Sequence, residues 1–520
     1  MEHYDVIVTG AGINGCFCGA LLAKSGLKVL LVERNRYIGG DCATQEITLP
    51  GFRHEMGGVI HLWALINPAM KVLRPELEQK FGLKYIPIKD ALIAMPFTDG
   101  KYIIVYKDID RMVEHLATYS RKDAKRYREV VDFWLNLRDG FFGNFFSAPQ
   151  PPSLTLAGLE KTEAGLEWIR NQNLSVKDFV LENFEDPHVR TMMLDWSLCP
   201  MERPQQDGKA AWFFVSIPLI HTYEVGIPQR GSGSLTEGLA RMIEAYGGKV
   251  LTASPVKKYI IEGGEARGIV LADGTQFSAG KAIVTTIDLR NTFLKLMDEG
   301  HLPEKFVKGV KNFKADKVAF FSTHLALNEP PRFKLGDEFN SIGYWRMADS
   351  VEAIDEEYAE IQIGRPPKNP GVSASCWSMW DPTRAPAGKH VLCMNTMAPY
   401  NLTDGNNWDD FKEEYYNRQL EMIRKYTTNM TDDNILAQTT FSPIDHERNN
   451  CSNMEGGIQG GELDLSQTGY LRPFPGWSQY RTPIKNLWMA GSYCHPGGGM
   501  HGASGTIAAG LIAKELGLKK

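Results

Sequence analysis

Between residues 5 and 33 the chain can close in very few ways. A short apolar run, Asp5-Val6-Ile7-Val8, breaks into Gly10-Ala11-Gly12-Ile13-Asn14-Gly15 and resumes as Ala20-Leu21-Leu22-Ala23-Lys24-Ser25-Gly26. That order predicts a strand, a tight turn, a helix and a glycine beyond its end. A second apolar run, Val29-Leu30-Leu31-Val32, ends on Glu33, eighteen positions past Gly15. Together these pieces make a complete βαβ dinucleotide-binding fingerprint. Gly10 makes the turn, Gly12 admits a pyrophosphate to the backbone amides, and Gly15 lets helix and strand pack closely. The helix N-terminus faces the phosphate charge. A glycine-rich turn of no function would need neither the strand before it nor the acid after it.

A carboxylate at position 33 accepts the free hydroxyls of an adenosine ribose, which favours NAD or FAD over NADP. The next segment decides between the two. Arg34 leads into Tyr37-Ile38-Gly39-Gly40-Asp41, and Gly51-Phe52-Arg53-His54-Glu55-Met56-Gly57-Gly58 comes after it. From here the sequence resembles the glutathione-reductase-type FAD folds, in which GxGxxG, the acidic strand end and a following Gly-Gly hold FAD. In the amine oxidase and phytoene desaturase branch an arginine usually follows that Gly-Gly. This chain has Asp41.

A second signal lies at residues 486–513, where Leu487-Trp488-Met489-Ala490-Gly491 runs into His495-Pro496-Gly497-Gly498-Gly499-Met500-His501 and a small-residue helix. The pattern predicts another helix N-terminus with close backbone approach, suited to the N1 and C2 carbonyl region of a reduced flavin. This stretch resembles the phytoene desaturase family, as do Pro443 to Arg448, Gly456-Gly457, Gly460-Gly461, Arg472-Pro473 and Tyr480 to Pro483. So do Pro228 to Leu235, a helix expected over 235–246, and a hairpin around Gly263-Gly264. The resemblance implies an FAD site built from Gly10, Gly12, Ile13, Asn14, Gly15, Glu33, Arg34, Gly39, Gly40, Asp41, Gly57, Gly58, Val256, Gly491, Gly499, Met500 and His501. The Val256 backbone would lie beside the adenine. No second GxGxxG follows a strand, so a bound NAD(P)H is not expected, and electrons would pass to dioxygen, a quinone or another acceptor that the sequence does not identify.

At 520 residues the chain exceeds what one core supports. The expected fold is α/β: a Rossmann-type, glutathione-reductase-like FAD-binding domain (1–75, 220–300 and 440–520) with an inserted α+β substrate-binding domain (76–219 and 301–439). The inserted segments are richer in Trp, Tyr, Phe and Met. Lys and Arg total 57 against 62 Asp and Glu, with no basic cluster, so no nucleic acid is expected as a partner. Eight cysteines without a CxxC pair argue against a disulfide framework or a zinc ribbon. With no basic leader and no apolar run of 18 residues, a cytoplasmic protein is expected. A peripheral membrane contact and a homo-oligomer are both compatible with the sequence.

Phe133, Leu137, Phe141 and Phe145 recur at spacing four, an apolar helical stripe ended by Pro149, Pro151 and Pro152. It suits packing on the substrate domain or a partner subunit; a membrane-dipping entrance is the competing reading. No HxxxH, HExxH or GxSxG element is present, so neither a metal nor a hydrolytic triad is expected. His501, just past the glycine loop, should reach an isoalloxazine. The positive helix end would lower its pKa and favour neutral imidazole, which suits a base, and a hydrogen-bonding role competes. His61 is the second candidate, with a packed core histidine as the alternative. His495 would join strand end to loop.

The chemistry that the resemblance implies is hydride transfer to FAD from a hydrophobic isoprenoid, carotenoid-like or alicyclic substrate, with loss of a proton and formation of a C=C bond. A flavin-dependent isomerase or saturase, an amine oxidase and a non-catalytic FAD-binding scaffold are the alternatives.

Overall fold

The computed structural model describes residues 1–197, 203–403 and 405–518, without the side chains of residues 211–216. The opening strand, Glu2–Thr9, is buried on both faces, with Val6, Ile7 and Val8 fully inaccessible. Strands of this kind sit in the middle of a parallel sheet covered on two sides. It pairs in parallel with Val29–Val32 (Val6 opposite Val29, Val8 opposite Leu31) and with Gln276–Thr285 (Thr9 opposite Thr285). Lys249–Leu251 extends one side in parallel, and Leu487–Met489 pairs in parallel with the far end of Gln276–Thr285. An antiparallel hairpin, Val256–Glu262 and Glu265–Leu271, joins the near end. Its turn is Gly263-Gly264 with φ of +58° and +77°, the left-handed pair that a two-residue hairpin demands. The helix expected over 235–246 is Gly233–Ala245.

A second sheet of seven strands runs in the order Ile435–Phe441, Ala319–Leu327, His390–Ala398, Val372–Ser375, Tyr344–Met347, Ala91–Pro96, Tyr102–Tyr106. All its pairings are antiparallel except that of Tyr344–Met347 with Ala91–Pro96. Helices pack around it, so the architecture is a Rossmann-type α/β domain joined to an α+β domain. Each sheet has its own hydrophobic core. Leu302, Phe306, Val310, Phe313 and Ala315 belong to the first, so the chain stays with the Rossmann sheet well past residue 300. Ile217 to Ile227 pack in the second core, so the return to the Rossmann sheet comes later than residue 220.

The aromatic stripe lies on a helix, Arg121–Phe145, opened by Ser120, whose hydroxyl accepts the Asp123 amide at 3.1 Å. Phe133, Leu137 and Phe141 pack on the second core, where Trp134 is fully buried. Phe145, at the helix end, stacks on Trp63 with centroids 4.9 Å apart. Along this stripe Phe133, Leu137 and Phe141 are half-buried and Phe145 is buried. No helix among the described residues is long and apolar enough to cross a membrane.

Candidate active site

A cavity runs along the ends of the parallel strands, where open α/β sheets bind ligands. Its wall includes Gly10, Gly12, Ile13, Asn14, Glu33, Arg34, Gly39, Gly40, Asp41, Gly58, Val256, Gly499 and Met500. The helix Ile13–Lys24 starts on Gly12 with no side-chain cap and no acid in its first turn, so its amides and positive end are left for a phosphate. Gly15 stands outside the wall. A Cβ there would lie 2.0 Å from the Gly10 carbonyl oxygen, so this glycine serves the close packing of helix on turn. The helix Ala503–Glu515 packs on the same helix start by the same device: a Cβ on Gly505 would fall 1.9 Å from the Asn14 carbonyl oxygen, and the Gly505 amide donates to Asn14 Oδ1 at 3.2 Å.

Glu33 accepts the Ala11 amide on Oε2 and the Asn35 amide on Oε1, both at 2.9 Å, which fixes its carboxylate in the wall with lone pairs to spare. Arg34 donates to the carbonyls of Arg448 and Asn449 at 3.0 and 2.9 Å, tying this end to a segment more than 400 residues away. Asp41 accepts the side-chain amides of Asn450 and Asn453, each at 3.0 Å. Burial raises its pKa despite those donors, and a carboxyl shifted toward its neutral form repels an anionic cofactor less. The asparagines are invisible to motif reading, since nothing local marks them. Gly57 lines the neighbouring cavity instead, and Gly491 lines neither: its carbonyl accepts the Ser504 hydroxyl at 2.9 Å, holding strand end to helix. Charge, glycine placement and shape in this wall fit FAD. Glu33→Arg is expected to lower FAD retention tenfold or more, the loss of a charge-assisted hydrogen bond of about 1.5 to 3 kcal/mol. The flavin-to-protein absorbance ratio after gel filtration reads the effect, and full occupancy in the variant would rule out the role given to Glu33.

A second cavity, of about 360 Å³, adjoins the first, and Gly58, Ile458, Gly498, Gly499 and Met500 border both. The junction is tightly built. A Cβ on Gly58 would fall 2.4 Å from Met500 Cγ, and the Gly498 amide donates to the Gln459 carbonyl at 2.8 Å. Beneath it Arg472, fully buried, donates to the carbonyls of Gln459, Gly460, Gly461 and Ser492 at 2.9 to 3.1 Å. A buried guanidinium satisfied by carbonyls clamps the glycine run 456–461 to the loop after the last strand. Most of the second cavity is apolar: Ile60, Leu92, Ile93, Trp196, Ile220, Ile354, Val372 and Trp377 contribute to its wall.

Five histidines bear on this site, in different states; His446 lines the second cavity with Nε2 3.0 Å from the Ser322 hydroxyl. His501 lines the second cavity and is 3% exposed. Its Nδ1 accepts the Ala503 amide at 3.0 Å, which leaves the proton on Nε2, donated to the Gly498 carbonyl at 3.0 Å. Burial holds its pKa down at about 4. The imidazole is neutral, as the sequence suggested, but chiefly through burial, and its one lone pair is committed to backbone; it braces the glycine loop, with Phe145 edge-on at 5.2 Å. His61 is fully buried and absent from the cavity wall, with Nδ1 3.0 Å from the Tyr85 hydroxyl and Nε2 3.1 Å from the Ser232 hydroxyl. It is a core histidine. His495 meets the Asn144 carbonyl at 3.0 Å, joining the loop to the end of the aromatic helix. His324, which no motif marks, lies on Ala319–Leu327 in the cavity wall, 2% exposed, with Nδ1 buried and without a hydrogen-bond partner among the described residues. Burial, together with nearby His54 and His446, keeps its pKa well below the usual value, so the ring is neutral.

Known proteins agree with this geometry. One subunit of the limonene dehydrogenase of Castellaniella defragrans is 26% identical over all of this chain and 96% of its own length. The lycopene-forming phytoene desaturase of Pantoea ananas is 22% identical, with 98% of this chain and 99% of the relative covered. Among solved structures, an oxidoreductase from Methanosarcina mazei superposes with a TM-score of 0.63 at 15% identity, covering 99% of this chain and 100% of that one. The match to the flavin containing amine oxidoreductase family extends over residues 15–513, nearly the whole length on which both cavities are built. The chain therefore belongs to that family, on its phytoene desaturase-like side, and is an FAD-dependent oxidoreductase.

Proposed function

We propose that the enzyme dehydrogenates a hydrophobic isoprenoid, carotenoid-like or alicyclic substrate, removing a hydride and a proton from neighbouring carbons to leave a C=C bond. The carrying observation is the largely apolar cavity that meets the FAD cavity along Gly58, Ile458, Gly498, Gly499 and Met500. Its volume is in the range of small-molecule sites, and its walls offer a hydrocarbon little else than dispersion contact. FAD, when bound, supplies the two-electron acceptor. The chain's own contribution is to hold the reacting carbons at the shared border, keep water from them with the Trp63 and Phe145 pair, and take the proton on His324. Loss of hydride leaves a carbon centre poor in electrons, so its neighbouring C–H is acidic and a weakly basic imidazole suffices. The likeness to a limonene dehydrogenase subunit and to phytoene desaturase supports this substrate class.

Anaerobic titration tests the reading. One equivalent of a cyclic terpene, a linear polyene or a saturated alicyclic compound should bleach the flavin, and dioxygen or a soluble quinone should restore it. Conversion of a substrate with no net bleaching would instead identify an isomerase. NADH or NADPH under the same conditions should leave the flavin oxidised, because the one dinucleotide fingerprint serves FAD and the chain carries no second; rapid bleaching by NADPH would move the enzyme to the reductases.

A further inference from the structure

The substrate-domain wall of the second cavity is not uniformly apolar. Asp195, Tyr344, Arg346, Glu357 and Ser373 lie in it together. Arg346 and Asp195 form a buried ion pair, with Arg346 Nη2 3.1 Å from Asp195 Oδ1 and 3.0 Å from its carbonyl, and Arg346 Nη1 donates to the Tyr344 hydroxyl at 3.2 Å. Ser373 also donates to that hydroxyl, at 3.1 Å. These groups satisfy one another.

Glu357 does not share in this. It projects from the helix Val351–Gln362, is 7% exposed, and its Oε1 has no hydrogen-bond partner among the described residues. Its other oxygen, Oε2, faces the backbone of Gly371, where even a Cβ would lie only 2.9 Å away. Burial, which outweighs the Gly371 amide, pushes the Glu357 carboxyl up to about 8, so it is an acid and a hydrogen-bond donor at neutral pH. Oε2 packs against Gly371, which leaves Oε1 as the oxygen without a partner. Buried polar atoms are rarely left unpaired, and one in the wall of a ligand cavity calls for a partner that arrives with the ligand. The terminal torsion of a glutamate is broad, so rotation about it can bring Oε1 to the cavity.

We propose that Glu357 is the cavity's polar anchor and that the natural substrate is a hydrocarbon skeleton carrying one neutral oxygen, a hydroxyl or a carbonyl, which accepts from Glu357. This rests on the dehydrogenase reading above and adds the substrate's second functional group. It separates this enzyme from one made for a bare hydrocarbon: an unmatched acid would then cost affinity and return nothing.

The test is equilibrium binding to the FAD-loaded enzyme, read as a perturbation of the oxidised flavin spectrum with no turnover required. The probes are a cyclic monoterpene, and the alcohol, ketone and primary amine of the same skeleton. The alcohol or the ketone should bind about tenfold more tightly than the hydrocarbon. Whichever of the two is favoured identifies the oxygen. Glu357→Met, which keeps length and volume, should erase that preference, and Glu357→Gln, whose amide still donates, should retain it. Equal binding of hydrocarbon and oxygenated probes by the wild type overturns the anchor without any variant. So does a preference that survives in Glu357→Met, which would mean that water fills the place. Tightest binding of the amine overturns it as well, since Glu357 would then be a counter-ion. No perturbation by any probe overturns the terpenoid reading itself, and the anchor with it; the other three failures leave that reading standing.

Discussion

Gly505→Ala will empty the flavin site. The added Cβ falls 1.9 Å from the Asn14 carbonyl oxygen and 2.7 Å from the Asn14 carbonyl carbon, and backbone atoms cannot swing aside as a flexible side chain does. The two helices must separate at the start of Ile13–Lys24, the uncapped helix end left for a phosphate. Overpacking of this kind costs about 1 to 3 kcal/mol and occasionally more. Because it acts on the cofactor cradle itself, FAD retention should fall more than tenfold along with the unfolding temperature. Gly510→Ala is the matched control. It lies on the same helix, exposed, with no atom within 4 Å of its Cβ position, and alanine there should stabilise by up to about 1 kcal/mol through helix propensity. Flavin content that is full and equal in the two variants would sink the cradle argument.

The second large effect is expected at His324. His324→Ala should slow flavin reduction by substrate about 10²- to 10⁴-fold while FAD stays bound, the range for loss of a positioned proton acceptor. The pH dependence comes from the direction of its shift. Its folded pKa lies well below the usual 6.5, and the neutral ring is the active form. The wild-type rate constant should therefore be flat through neutral pH and fall only as the pH drops below that lowered value. The Ala variant should lose this acid limb. Stopped-flow reduction measures both. His501→Ala should behave differently: with its ring bonded to Ala503 N and the Gly498 carbonyl, its removal loosens the glycine loop and weakens FAD retention rather than abolishing an acid limb. If His324→Ala reduces at the wild-type rate with the wild-type profile, the proton goes elsewhere.

The legible and illegible parts of the chain divide along a physical line. Gly10, Gly12, Glu33 and the Gly497–Gly499 loop act through backbone geometry and one carboxylate, and such constraints are met within a few consecutive residues, so they show in the letters. The second cavity obeys another rule. Asp195, Arg346, Glu357 and His324 come from four separate elements, brought together by a sheet in which Tyr344–Met347 lies parallel to Ala91–Pro96 across some 250 residues of chain. No local pattern encodes that register. His501 shows a subtler limit. Its position at the site was readable, but its task depends on whether the Ala503 amide takes its lone pair, and that is settled by a loop conformation. His61 lies near the right glycines yet turns to Tyr85 and Ser232, away from the cavity.

The FAD cavity is walled by residues before position 60, by residues between 254 and 296, and last by Asn450, Asn453 and the 498–500 loop, with Arg34 anchored to Arg448 and Asn449. On a ribosome that adds 5 to 20 residues each second, roughly 390 residues separate the first of these parts from the last, or about 20 to 80 s of synthesis. During that interval the nascent chain already displays its phosphate-binding turn but lacks the last part of the wall that closes over a flavin. Cofactor loading must then be a late event, coupled to emergence of the final helix, and until it happens the apolar second cavity has lost the border it shares with the cofactor. Cells short of riboflavin would be expected to accumulate this protein in a form open at its middle, the state most exposed to proteases.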